Sequence, residues 1–207
     1  MRLTKFTHAC VRLDDGERRL VLDPGEWSEP EALEGAQAVL VTHEHADHLD
    51  VARLRAAREA DDAFTVWASA GAAAALGDLA GVVVVAPGDT ITAGGFEVAV
   101  VGGAHAEIYD GLPGCDNVGY VVGGVYHPGD ALHVPEVAVD TLLVPAAAPW
   151  LKLAEALDFM RAVAPRQSRP VHDAMLTEIG HAVVGRWLEN KGGTEYARWA
   201  PGESLEV

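Results

Sequence analysis

Nine of the 207 residues are histidine, and three of them crowd around an aspartate in His43-x-His45-x-Asp47-His48. In a chain of this composition that pattern arises by chance roughly once in a thousand sequences. A lone histidine is usually a solvated loop residue or a hydrogen-bonded core group, but four such residues in six positions call for another account. At the end of a strand, residues two apart point the same way, so His43 and His45 can grip one ion. The chain then turns, and Asp47 and His48 can face a second ion beside the first. Imidazole with carboxylate suits zinc, iron or manganese, and the absence of cysteine from the cluster argues against a structural zinc staple.

A strand must deliver this cluster, and Ala38-Val39-Leu40-Val41 runs directly into it. Upstream, Leu3 to Thr7 and Cys10 to Leu13 are short apolar-rich stretches. Asp14-Asp15-Gly16-Glu17 reads as a hairpin turn and Arg19 to Leu22 as the returning strand. Downstream, Leu49 to Ala60 has helical composition, Phe64 to Trp67 is a strand and Ala70 to Leu76 a short Ala-rich helix. Strands are expected at Val82 to Val85, Phe96 to Val101, Val118 to Val122, Val125 to His127 and Thr141 to Val144. Helices are expected over Leu151 to Val163, before Pro165, and over Met175 to Asn190, stopped by Gly192-Gly193, with Pro170-Val171-His172 ending a strand between them. There is no low-complexity linker, fixed-period repeat or obvious boundary. The expectation is one α/β domain over residues 1–207 with more strands than helices.

Composition bounds the function. With 31 acidic residues against 15 basic ones the formal charge is −16, so no nucleic-acid partner is expected, because phosphate contacts need clustered Lys and Arg. At 49% hydrophobic and 22% charged residues, disorder is excluded and a real core is available. No apolar run approaches the ~18 residues of a membrane helix, so no membrane partner is expected. Met1 to Cys10 lacks a secretory signal's apolar stretch, and two cysteines make no disulfide framework, so the expected setting is cytoplasmic. A small-molecule substrate is the expected partner, and a homo-oligomer stays open.

The stretch Val39-Leu40-Val41-Thr42-His43-Glu44-His45-Ala46-Asp47-His48-Leu49 resembles the signature of the metallo-β-lactamase superfamily. That resemblance implies an αββα sandwich of mixed sheets, with helices on the outer faces and a metal site at one edge. It also implies a ligand set. Val101-Gly102-Gly103-Ala104-His105 matches the third ligand of the first metal, Tyr126-His127-Pro128-Gly129-Asp130 the bridging aspartate, and Arg169-Pro170-Val171-His172 the last histidine. On this mapping the first metal takes His43, His45 and His105, the second takes Asp47, His48 and His172, and Asp130 bridges them.

The resemblance extends over the whole chain. Phe6-Thr7-His8-Ala9-Cys10, Val21-Leu22-Asp23-Pro24 and Pro201-Gly202-Glu203 are similar to the compact branch that includes the L-ascorbate-6-phosphate lactonase group. Ala131 departs from that branch, which commonly has a hydroxyl residue there, and the lactonase proper is longer. The chain lacks the extra domains of glyoxalase II and of flavodiiron proteins, and His45 stands where the latter typically place a glutamate.

The implied activity is hydrolysis of a small ester, lactone or phosphodiester by a dinuclear centre, zinc most readily and manganese or iron as alternatives, with Asp47 and Asp130 catalytic. Two divalent ions ~3.5–4 Å apart can lower the pKa of a shared water from about 15.7 toward neutral and supply a bridging hydroxide. The alternatives are an iron-dependent oxidoreductase or dioxygenase and a non-catalytic metal-binding regulatory domain on the same fold. Asp23 is the candidate to accept a ligand histidine's second N–H, with a strand-ending Asp-Pro turn as its other reading. His8 lies in the segment that lines the site in relatives. Tyr109, Asn117 and Tyr120 follow His105, where substrate contacts are expected. Trp150 either walls a pocket or packs in the core. His127, His133, His181, Cys10 and Cys115 are read as packing or surface groups.

Overall fold

The computed structural model describes residues 1–112 and 114–207. In chain order come β1 (Arg2–Lys5), β2 (Val11–Asp14), β3 (Arg19–Leu22), β4 (Ala38–Val41), α1 (Val51–Ala60), β5 (Thr65–Ala68), α2 (Ala70–Leu76) and β6 (Val82–Val84). Then follow β7 (Thr90–Ala93), β8 (Phe96–Gly102), β9 (Val118–Val122), β10 (Val125–His127), β11 (Thr141–Pro145), α3 (Leu153–Val163), β12 (Gln167–Val171), α4 (Glu178–Lys191), β13 (Glu195–Tyr196) and β14 (Ser204–Glu206). The strands form two mixed sheets, ordered β14-β1-β2-β3-β4-β5-β6 and β13-β12-β11-β10-β9-β8-β7. Hairpins make the antiparallel pairs β1–β2 and β2–β3, whereas β3–β4, β4–β5 and β5–β6 are parallel.

Strand alternation explains the layers. Leu20, Leu22 and Leu40 point into one core shared with Val98, Val100, Val118, Tyr120 and Val122 of the second sheet. Their neighbours Val21, Val39 and Val41 point the other way, against Leu54 of α1 and Ala72 and Leu76 of α2. On the opposite outer face Val121, Tyr126, Leu142 and Val144 meet Ala156, Phe159 and Met160 of α3 and Leu188 of α4. The result is the expected αββα sandwich.

The differences are local. Strands β7, β13 and β14 were not anticipated, being short segments pinned by partner strands rather than by an apolar pattern. Three helices, α1, α3 and α4, start later than their composition suggests, and in two of them a capping side chain sets the start. Asp50 accepts from the Arg53 N–H to open α1, and Thr177 accepts from the Gly180 N–H to open α4. Among the described residues, no helix is long and apolar enough to cross a membrane.

Candidate metal centre

Five chain segments deliver side chains to one edge of the sandwich. β4 ends at Val41, and the following turn closes when the His48 and Leu49 N–H groups donate to the His45 carbonyl, both at 2.9 Å. Gly25 lies so tightly on this turn that a Cβ there would sit 2.0 Å from the Asp47 carbonyl oxygen. β8 delivers His105, β10 delivers Asp130, β12 delivers His172, and the β1–β2 loop delivers His8. Gly129 precedes Asp130 at φ +62°, and a Cβ there would meet Asn117 Oδ1 at 2.2 Å, so glycine is required. Of the four non-glycine residues with positive φ among those described, three are His8 (65°), Asp23 (48°) and His172 (53°). Left-handed backbone is uncommon outside glycine and persists where the surroundings over-determine it.

The donors fall into two clusters. Ligand-capable atoms of His43, His45, His105 and Asp130 lie within 4.8 Å of one another, and so do those of His8, Asp47, His48 and His172. Asp130 stands between them: its Oδ2 is 3.3 Å from His105 Nε2 and 3.1 Å from His172 Nε2, and its Oδ1 is 3.1 Å from His48 Nε2. Three rings are anchored from behind through Nδ1–H. His48 donates to Asp23 Oδ2 at 2.7 Å, His105 to the Ala106 carbonyl at 2.6 Å and His172 to the Ala147 carbonyl at 2.6 Å. Such bonds fix the tautomer and turn the other nitrogen's lone pair forward. The forward atoms His48 Nε2, His105 Nε2 and His172 Nε2, with Asp130 Oδ1, are buried without a hydrogen-bond partner. Buried polar atoms are rarely left so, and all four face the same space. This donor set fits divalent ions.

The electrostatics divide along the same line. Burial, aided by the neighbouring His48, keeps His43 well below the ordinary histidine value, and burial with His105 lowers His45. His48 and His172 behave oppositely. Although burial opposes it, the Asp130 and Asp23 carboxylates raise His48 well above its usual value. Against the same burial, Asp130 and Asp47 push His172 up to about 9. Burial would raise the two carboxylates, yet His48 holds Asp130 well below the usual range, and the His172 ring 3.4 Å away, together with the His8 hydrogen bond, lowers Asp47.

The remaining candidates sort clearly. His8 Nδ1 accepts from the Ala174 N–H at 3.3 Å, which leaves Nε2–H to donate to Asp47 Oδ2 at 3.1 Å. Asp23 is more than a turn: it also accepts from the Thr42 N–H and hydroxyl at 2.8 and 2.7 Å. Trp150 does not simply pack, because its Nε1–H donates to Asp130 Oδ2 at 2.9 Å. Of the three residues beyond His105, two face inward and one outward. Asn117 is buried and clamps the Asp130 turn, donating to the Pro128 carbonyl and accepting from the Asp130 N–H, each at 2.9 Å. Tyr120 is buried and donates to the Val41 carbonyl behind His43, and Tyr109 is exposed. His127 packs, donating to the Ala9 carbonyl at 2.8 Å. His133 is exposed, and His181 lines a separate cleft with Tyr196 and Arg198. Cys10 is buried, but Cys115 Sγ comes 3.9 Å from His45 Nε2, a neighbour not anticipated. Burial pushes that thiol up to about 11, so it stays protonated.

One support was missed. Lys5 is buried and donates to Asp173 Oδ1 at 3.0 Å and to the His8 and Pro170 carbonyls at 3.3 Å, tying the His8 and His172 loops together.

Comparison with known proteins agrees with this architecture. Residues 2–172 match the model of the beta-lactamase superfamily domain. The chain belongs to the beta-lactamase superfamily. Protein Rv0786c of Mycobacterium tuberculosis (strain ATCC 25618 / H37Rv) is 43% identical over 197 residues, covering 91% of this chain and 92% of that protein. A UPF0173 metal-dependent hydrolase of Methylobacterium nodulans is 37% identical over 59 residues, 24% of this chain and 25% of its own. Among solved structures, Igni18, a metallo hydrolase from Ignicoccus hospitalis, superposes with a TM-score of 0.76 at 19% identity, covering 100% of this chain and 98% of that one.

Proposed function

We propose that this superfamily member is a metal-dependent hydrolase with a dinuclear centre, one domain over residues 1–207. His43, His45 and His105 would hold the first ion, Asp47, His48 and His172 the second, with Asp130 between. The observation that carries the reading is the set of buried, unpartnered atoms on His48, His105, His172 and Asp130, all aimed at one space. The names of the relatives, metal-dependent hydrolases among them, support it. When bound, divalent ions supply an acidified water and polarise a carbonyl or phosphoryl oxygen. Asp23, Ala106 and Ala147 keep the imidazoles aimed, Asn117 clamps the Asp130 backbone and Trp150 holds its carboxylate. Asp47 and Asp130 orient a water by accepting its hydrogen bonds, and their low proton affinity keeps them acceptors. The substrate class is a small ester, lactone or phosphodiester.

Metal analysis after zinc reconstitution tests the centre, and two equivalents per chain are expected. Well under one equivalent would refute it. A panel of esters, lactones and phosphodiesters tests the chemistry. Two equivalents with no turnover anywhere would move the reading to a non-catalytic metal-binding domain. Iron with oxygen consumption in place of hydrolysis would move it to an oxidoreductase.

A further inference from the structure

The walls in front of the two donor clusters are chemically one-sided. A cavity of about 230 Å³ opens over Asp47, Asp130 and His172, walled by Trp27, Pro149, Trp150 and Met175. A second, of about 390 Å³, lies on the other side of His45 and His105, walled by Ile108, Leu112 and Cys115. The two share His45, His105 and Ile108. Trp27 (48% exposed), Ile108 (44%), Leu112 (57%) and Met175 (49%) are large apolar groups left open to water around this one mouth. A soluble surface seldom gathers such groups without a use. Among the described residues, no lysine or arginine lines either cavity, and the acidic side chains there are Asp47, Asp130 and Glu107. Recognition of a phosphate or carboxylate away from the ions would need a cationic fork or ammonium, and none is present.

We propose that the substrate is an uncharged ester or lactone with an apolar acyl chain, the chain lying along Ile108 and Leu112 and the carbonyl over the donor clusters. The proposal rests on the hydrolase reading and narrows it. Water adds its oxygen to the acyl carbon and the acyl C–O bond breaks. One water proton goes to the departing alkoxide and the other is released as the acid ionises. A phosphorylated sugar lactone is excluded on the same grounds, because its phosphate would face Glu107 or apolar wall.

The test uses zinc-loaded protein and the ethyl esters of acetate, butyrate, hexanoate and octanoate, with the monoethyl ester of suberate as the charged analogue of the last. Burial of about 0.8 kcal/mol per methylene corresponds to a rise in kcat/KM of roughly fourfold per methylene until the wall is filled. The suberate monoester should fall at least tenfold below octanoate. Leu112→Asp should lower the octanoate-to-acetate ratio. Calorimetric titration with octanamide supplies a readout that needs no turnover: binding is expected, and Leu112→Asp should weaken it. If no ester is cleaved but octanamide binds through Leu112, the apolar site stands and the hydrolase reading falls. If esters are cleaved with a flat chain-length profile, or the suberate monoester is preferred, the hydrolase reading stands and this proposal is overturned. Absence of both octanamide binding and chain-length dependence also overturns it.

Discussion

The two halves of the site are built differently from the same residue types. His43, His45 and His105 come from turns that follow β4 and β8, and His45 and His105 remain open to the cavities. The first two are held neutral by burial, which is the form a metal needs. The other half gathers His8 from the β1–β2 loop, Asp47 and His48 from further along the same turn after β4, and His172 from the β12 end. There His48 and His172 have raised proton affinities, because Asp23, Asp47 and Asp130 face them. One half therefore stands ready for an ion, while in the other an ion must first displace protons. The difference teaches that a near-symmetric ligand set need not load symmetrically: the first half should fill first and tightly, the second later and with a dependence on pH.

The strongest way to break this comparison is to remove what the halves share. Asp130→Asn keeps the shape and its contacts with Asn117 and Trp150 but deletes the charge between the clusters. Turnover on the best panel substrate should fall by about two orders of magnitude or more, with circular dichroism unchanged. Wild-type turnover would show that Asp130 does not couple the halves. His172→Ala strikes only the second half. Zinc titration should show one tight site retained and the other weakened roughly a hundredfold or more, and equal weakening of both would mean that the halves are one unit.

A smaller effect follows from His8. Its Nε2–H holds Asp47, its carbonyl accepts the His172 N–H at 3.2 Å, and its ring lies 3.9 Å from that of His172. Loss of a partner that orients a ligand typically weakens metal binding by about 10–100-fold. His8→Ala should do so for the second ion alone. His8→Gln, whose amide can reach the same oxygen, should recover part of it, which a merely space-filling role would not predict. Equal affinities in wild type and His8→Ala would show that Asp47 is held without this ring.

These contrasts also mark what the sequence made legible. His43, His45, Asp47 and His48 were readable because one strand end and one turn place them, so local spacing carries the geometry. His105, Asp130 and His172 could be found only through a resemblance, because the 66 residues between His105 and His172 carry no spacing rule. The sandwich was legible where Leu20-Val21-Leu22 and Val39-Leu40-Val41 alternate between two cores. The supports were not. Lys5 with Asp173, Trp150 on Asp130 and Asn117 across the Asp130 turn are tertiary contacts between distant segments, and no local pattern announces them. Asn117 stayed open between substrate contact and support, because loop position says nothing about which way a side chain faces.

The mildest perturbation, a change of pH, sharpens the comparison without altering a residue. Below about 9 the His172 ring carries a proton that Asp130 and Asp47 stabilise, so an ion entering there must expel it. If one proton leaves per ion, affinity rises about tenfold per pH unit until the pH passes about 9, then levels off. His43 and His45, lowered by burial, are already neutral at pH 7 and add no such slope. Zinc titrations at pH 7 and 8, repeated in buffers of different ionisation heat, should give a near-constant first affinity and a second one that climbs with measurable proton release. The metal-free fold should show the opposite trend. A histidine raised above its unfolded value of about 6.5 gives its full stabilisation below that value and loses it as pH rises through about 9. Denaturant midpoints of metal-free protein should accordingly decline between pH 7 and 9 while second-ion affinity increases. Parallel pH slopes for both ions, or a metal-free midpoint that rises over this range, would remove the electrostatic distinction between the halves.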